Sequence, residues 1–291
     1  MRNVIKPSQL GLRALSTSVS SRILAAVFAI AAMHFTLFAN AAAAPDLWEI
    51  WAANDADSTQ VIDHSAWDEL LSTYVVPRED QLNLVAYKQF SPADTQKLVG
   101  YIDQLASVDP TTLNPQEQMA YWINFYNALT VKVVLDYPKK KSILRMGEKF
   151  FAIGPWDDKL VTVNGEKVTL NDIEHRILRP LFKDRRIHYA VNCASIGCPN
   201  LASEAYTAAN LEEMLAAAEH GYLHHPRGVT FDDKGRLLLS QIYEWYGSDF
   251  AADEAGLLAY IAENHDTLGE KIQSYTGKVR YDYDWSVNGV K

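Results

Sequence analysis

The chain has 291 residues, with 27 Lys plus Arg against 36 Asp plus Glu and a formal net charge of −9. An acidic chain is not built to hold nucleic acid, and the one dense basic run, Lys139-Lys140-Lys141 behind Pro138, reads as a solvated loop. The length allows one large domain or two small ones, and seven Trp with fifteen Tyr imply a well-filled core and an aromatic-lined pocket.

Residues 1–44 read as a secretory signal. Arg2, Lys6, Arg13 and Arg22 make the start basic, an apolar run from Ile23 to Phe38 follows, and Ala41-Ala42-Ala43-Ala44 supplies an Ala-x-Ala cleavage site. The apolar run is short for a membrane span and contains His34. The expected product is a periplasmic or secreted protein with no stable membrane anchor after cleavage, folding over residues 45–291.

Beyond the signal the first apolar cluster is Trp48, Ile50 and Trp51. Asp63 precedes a helix with Trp67, Leu70, Leu71 and Tyr74 on one face, and Leu82 to Tyr87 reads as a short strand. Ser91 with Asp94 resembles a capping box for the next helix. The longest helix is predicted from about Pro115 to Asp136, with Asn114 as N-cap, Pro115 at its first position and Pro138 as its stop. Met119, Trp122, Ile123, Tyr126, Thr130, Val133 and Val134 form a broad apolar face. Ala120, Asn124, Asn127 and Val131 form another side, uncharged until Lys132. Asn124 and Asn127 must therefore either clamp neighbouring backbone or face a polar cavity, because an unpaired buried amide costs roughly 1–3 kcal/mol.

A hairpin follows, with Leu160–Val163 and Glu166–Val168 flanking the favoured Asn164-Gly165 turn. Thr169 or Asn171 caps a short helix carrying Glu174 and His175, which as sequence neighbours point to different sides. One of them is free to reach a pocket, while the bland role for Glu174 is an ion pair with Arg179 or Arg186. A helix through Leu211 and Leu215 leads to Tyr222, a second hairpin turns at Lys234-Gly235, and helices are predicted over 242–246 and 254–263. Residues 279–285 alternate as a last strand. No internal repeat or linker breaks the chain after residue 45. The predicted fold class is α+β, a single domain with helices packed on a small, mostly antiparallel sheet.

The stretch from Ile187 to Leu201 holds both cysteines and a Gly/Pro loop after an apolar run. Residues 187–192 alternate like a strand, with Ile187, Tyr189 and Val191 on a core face and His188, Ala190 and Asn192 on a polar one suited to a cavity wall. In an exported protein, Cys193 and Cys198 read first as a disulfide closing a tight loop. The alternative is a Cys193 thiolate nucleophile. A straight strand would hold His188 about 16 Å from it, so a base would have to come through a sharp turn or from elsewhere, such as His175. His220 and His224, four apart on a helix, have no carboxylate at metal-ligand spacing and read as a solvated face. No metal and no cofactor is expected, and no phosphate-binding or dinucleotide-binding loop is present.

Several blocks together resemble the domain of unknown function 547 family, found in bacteria and plants. They are Tyr121–Leu129, Thr169–Arg179, Arg186–Pro199, Leu239–Phe250 and Tyr281–Asn288, in order, and the resemblance spans about residues 64–288. The resemblance implies no particular activity. Some plant members join this domain to a coiled coil, but no heptad pattern is present in this chain.

Two functions fit the residues. One is an exported binding or scaffolding module for an unknown small molecule or protein, with a polar pocket around His188 lined by Asn124, Asn127, Trp122, Glu174, His175 and Asn192. The other is a periplasmic hydrolase or acyl transferase using His188 with Cys193 or an activated water, and the asparagines as substrate donors. The signal reading is checked by intact mass: protein recovered from an exporting host should begin near Ala44 or Pro45, and a membrane-bound product retaining Met1 would make the segment an anchor instead.

Overall fold

The computed structural model describes residues 45–148 and 153–291. The signal read from residues 1–44 lies outside the described residues. The elements, in chain order, are α1 (Ser65–Tyr74), β1 (Val75–Pro77), β2 (Asn83–Val85), α2 (Pro92–Ala106), α3 (Pro115–Asp136), β3 (Val161–Val163) and β4 (Glu166–Val168). A π-helix (Asp172–Leu178) then runs into α4 (Arg179–Phe182) and is followed by α5 (Ile187–Ala190), α6 (Leu211–Leu223), β5 (Val229–Phe231) and β6 (Leu237–Ser240). The chain closes with α7 (Ile242–Trp245), α8 (Gly247–Phe250), α9 (Glu254–Glu263), α10 (Gly269–Gln273) and β7 (Arg280–Asp282). The fold is α+β. Among the described residues its strands form three small sheets rather than one: antiparallel β1–β2, antiparallel β3–β4, and β5–β6–β7, in which β7 runs parallel to β6. Among the described residues no helix is long and apolar enough to cross a membrane.

Helix α3 is the axis of this arrangement. Asn114 caps it by accepting from Glu117 N (3.0 Å), with Pro115 at its first position. Every residue from Glu117 to Val131 is buried. Four polar side chains on this helix spend their capacity on backbone from other segments. Glu117 Oε1 accepts from Ile62 N (2.7 Å) and its Oε2 from Ala208 N (3.3 Å). Gln118 Nε2 donates to Trp51 O and Ala53 O. Asn124 Nδ2 donates to Tyr206 O (2.7 Å) while Tyr206 N donates back to Asn124 Oδ1 (3.1 Å). Asn127 Nδ2 donates to Ala190 O (3.0 Å) and its Oδ1 accepts from Asn192 N (2.8 Å). Of the two roles open to the asparagines, the structure shows the backbone clamp. Trp122 is fully buried, edge-on to Trp51 at 5.6 Å between ring centres, so it is core and not the pocket wall expected of it.

The expected strand at 187–192 is not formed. Residues 187–190 make one helical turn, with Tyr189 N bonded to Arg186 O and Val191 N to Ile187 O. Asp184 starts the turn, its carboxylate accepting from Arg186 N at 2.8 Å. All six residues of the stretch are buried. With every residue buried, alternation over so short a window carries no information about which face is inside.

Asn127→Ala should strip partners from two buried backbone groups and cost about 1–3 kcal/mol. Urea unfolding should show a lower midpoint with an unchanged slope; an unchanged midpoint would contradict the clamp.

Candidate functional site

The chain leaves α5 in extended conformation at Val191 and enters a loop braced by Asn192. The Asn192 amide donates to Pro199 O (2.6 Å), and its oxygen accepts from Ala194 N (2.9 Å) and Asn288 Nδ2 (3.4 Å). Asn192 is buried and committed to this bracing, not to a ligand. Ala194 has φ +59, the left-handed region that a residue with a Cβ rarely adopts. Such a conformation costs of order 1–3 kcal/mol and persists only where surrounding bonds hold it. Here they are the Asn192 contact and the bond from Asn288 N to Ala194 O (3.1 Å).

The strained turn presents the Cys193 and Ser195 side chains to the same partner. Cys193 Sγ lies 3.1 Å from Ser195 Oγ and 3.2 Å from Tyr283 OH, and Ser195 Oγ donates to Tyr283 OH at 3.0 Å. Tyr283 reaches the loop because position 197 is glycine. A Cβ there would lie 2.9 Å from the Tyr283 ring and from Asp284 N. The C-terminal segment is pinned alongside by Gly197 N to Asp284 O and Ile196 N to Ser286 O, each 2.8 Å.

Cys193 and Cys198 are both free thiols, so the expected disulfide is not formed in this structure. Cys193 N donates to Cys198 Sγ at 2.9 Å, which places the second sulfur against the first residue's own backbone. The two thiols sit in opposite electrostatic settings. Hydrogen bonding with the Cys198 thiol, joined by Ser195 and Tyr283, holds Cys193 below its ordinary value against the opposing effect of burial. Burial first, and Cys193 second, push Cys198 well above its own. Cys193 is partly exposed and Cys198 buried. Around Cys193, three partly exposed rings form a cluster: Trp245 and Tyr283 at 4.9 Å, Trp245 and Trp285 at 5.3 Å, Tyr283 and Trp285 at 4.6 Å.

His188 is elsewhere and differently used. It is 4% exposed, and its Nε2 donates to Asp249 Oδ2 at 2.8 Å. Its ring stacks on Tyr246 at 4.2 Å. Asp249 also takes Arg179 Nε (2.6 Å) and Nη2 (3.1 Å), and the Arg179 guanidinium lies over the Tyr246 ring. The open polar pocket expected at His188 gives way to a buried ion-paired group. Among the described residues no contact joins His188 to Cys193, so the pair needed by a His188-assisted thiol nucleophile is not assembled.

Glu174 and His175 belong to the same buried group. Thr169 and Asp172 cap their helix reciprocally, Thr169 N donating to Asp172 Oδ2 (3.0 Å) and Asp172 N to Thr169 Oγ1 (2.9 Å). The turn is a π-helix, wider than an α-helix. Both side chains are consequently buried, with His175 Nδ1 4.0 Å from Glu174 Oε1 and 3.1 Å from Arg179 Nη1. They do not diverge as sequence adjacency suggests. Of the two arginines considered for Glu174, Arg186 is engaged by Asp184 and Glu212. Burial acts to raise the Glu174 carboxyl, but His175 first, then His188, Tyr246 and Arg179, hold it below its usual range. Burial lowers His175, against the pull of Glu174.

Of the residues expected at one site, then, Asn124, Asn127 and Asn192 hold backbone, Trp122 packs, and Glu174, His175 and His188 share a buried ionic group. Cys193 stands apart on the accessible face. Sequence reasoning missed Ser195, Tyr283, Tyr246, Asp249 and Arg179 as site residues. All five lie inside the blocks Thr169–Arg179, Arg186–Pro199, Leu239–Phe250 and Tyr281–Asn288, which was the signal available.

The family model described as "Protein of unknown function, DUF547" matches residues 110–223. The match covers α3 with its clamps, the π-helix and the cysteine loop. No curated protein and no solved structure matches the chain.

Burial acts to raise the Asp249 carboxyl, but His188 and Arg179 overcome it and hold the group well below the usual carboxylate range. A depressed folded value adds stability above the unfolded value, about 3.9, which is lost as pH falls through the folded one. Asp249→Asn should therefore destabilise by about 3–5 kcal/mol at pH 7. The gap to wild type should narrow as pH falls below about 4. A gap that stayed constant to pH 2 would contradict the ion-pair account.

Proposed function

We propose that this chain, which carries the DUF547 domain over residues 110–223, is an exported thiol–disulfide exchange protein. Cys193 is its attacking thiol and Cys198 its resolving thiol. The observation that carries the reading is the asymmetry of the pair. Cys193 is partly exposed, its sulfur 3.1 Å from Ser195 Oγ and 3.2 Å from Tyr283 OH, while Cys198 is buried; one thiol is open to a partner and the other is held behind it, which is the division of labour that exchange requires. The Cys198 sulfur already lies against Cys193 N, so the two thiols belong to one tight loop. The Trp245–Tyr283–Trp285 cluster supplies an aromatic surface beside the attacking sulfur, suited to a docking peptide or small molecule. The basic, apolar, small-residue order of residues 1–44 supports placing this chemistry outside the cytoplasm.

The reaction balances without a cofactor. Cys193 thiolate attacks one sulfur of a partner disulfide, forming a mixed disulfide and expelling one partner thiolate, which takes up a proton. Cys198, deprotonated as it attacks, bonds to the Cys193 sulfur and expels the second partner thiolate. Two electrons and two protons pass to the partner, and the chain is left with a Cys193–Cys198 bridge. Run in reverse, the same steps oxidise a partner dithiol, and the relative potentials set the direction.

The test uses the reduced protein and the aromatic disulfide dithiobis(nitrobenzoate). Wild type should release two equivalents of thionitrobenzoate and lose two hydrogens in mass with no adduct. Cys198→Ser should release one equivalent and keep the adduct; Cys193→Ser should react far more slowly. A wild type that keeps two adducts, or whose bridge glutathione cannot open, would make the cysteines structural.

A further inference from the structure

We propose that His220, His224 and Asp266 form a divalent transition-metal site of the Zn²⁺ class, at the corner where the end of α6 meets the segment between α9 and α10. In sequence the two histidines have no carboxylate at metal-ligand spacing; the fold brings one from more than 40 residues away. Asp266 Oδ2 lies 3.4 Å from His220 Nε2 and 3.4 Å from His224 Nε2. The three donor atoms all fall within 4.8 Å of one another. A tetrahedral ion with bonds of about 2.0–2.1 Å separates its donors by about 3.4 Å, so the shared carboxylate oxygen already sits at ligand spacing from both imidazoles.

The tautomer of His224 is set for this role. Its Nδ1 donates to His220 O at 2.8 Å, which leaves the lone pair on Nε2. An imidazole fixed by a carbonyl on its far nitrogen is the usual supporting arrangement for a metal-bound histidine. In the metal-free arrangement that lone pair accepts from Asp266 N at 3.0 Å, a bond the ion would replace. His220 stacks on His224 at 3.9 Å, one helical turn away, so both rings leave α6 on the same side.

A second observation comes from His265. Its ring is 4.4 Å from that of His224, and the residue is 4% exposed. Its Nδ1 accepts from Leu268 N at 3.3 Å, so Nε2 carries the proton, and this buried nitrogen has no hydrogen-bond partner. An unsatisfied buried donor is uncommon. A water completing the coordination of an ion held by two histidines and one carboxylate is the acceptor this nitrogen lacks. Three protein ligands with water in the fourth position is the pattern of an open, exchangeable zinc site.

The site tethers two elements of the domain that holds the thiol pair, but its residues are not part of the Cys193 loop, so the two readings stand or fall separately. The test is calorimetric titration of wild type and His220→Ala with Zn²⁺. The His220 side chain is 64% exposed, so its removal leaves the fold intact. Wild type should take up one more equivalent at micromolar concentrations than His220→Ala, and Zn²⁺ should raise the melting temperature of wild type only. Any zinc taken by the cysteines appears equally in both proteins and cancels. Asp266→Asn should weaken the same component at least tenfold. Identical isotherms for wild type and His220→Ala, or no uptake by either, would overturn the proposal.

Discussion

The interaction on which the rest of this structure depends is the hold of α3 on other segments of the same chain, whose backbone it clamps with Glu117, Gln118, Asn124 and Asn127. A helix buried from residue 117 to 131 would ordinarily be apolar all round. This one places four polar side chains against peptide groups at Ile62, Trp51, Ala53, Tyr206, Ala208, Ala190 and Asn192. Most of those peptide groups lie outside regular helices and strands, and Trp51 and Ala190 sit at the ends of short helical turns, where a buried backbone donor or acceptor lacks a ladder partner. The side chains of α3 supply what a ladder would. That is how three sheets of two or three short strands suffice for a chain of this length.

The cysteine loop inherits its geometry from the same helix. Asn127 fixes Asn192, Asn192 turns the chain through Ala194, and the left-handed Ala194 brings Cys193 and Ser195 onto Tyr283. Gly197 permits the approach of the C-terminal segment that carries Tyr283. Strain at Ala194 and the missing Cβ at Gly197 thus serve one outcome, a thiol held among hydroxyls. Hydrogen bonds to sulfur favour the charged form, while burial disfavours it. Hydrogen bonding, first with Cys198 and then with Ser195 and Tyr283, outweighs burial at Cys193, whereas burial prevails at Cys198.

Behind this face lies the buried group of Glu174, His175, Arg179, His188 and Asp249 around Tyr246. Charges are buried at a cost that only close pairing repays. The bonds from Arg179 and His188 converge on one carboxylate. They join α4 and α5 to α8, more than 60 residues further along the chain. A residue that looks like a base when read in its own strand becomes a structural partner once an acid 61 positions away is packed against it.

Local chemistry was legible in the sequence. The Asn114-Pro115 start of α3, the Ser91 cap of α2 and the Asn164-Gly165 hairpin turn all formed as read, the last with positive φ at both residues. Each is decided by hydrogen bonds and backbone preferences within a few residues, so nothing distant can alter it. The uncharged asparagine stripe announced that α3 is buried, and both cysteines in one Gly/Pro loop marked the stretch that holds the strained turn. What only the tertiary structure decided was which groups those residues meet. The turn at 187–190 in place of a strand, the convergence of Glu174 with His175, the pairing of His188 with Asp249 and the meeting of Asp266 with two histidines all depend on partners brought together by packing. Periodicity reports which side of a segment is apolar, and in a stretch buried on every side that report is silent.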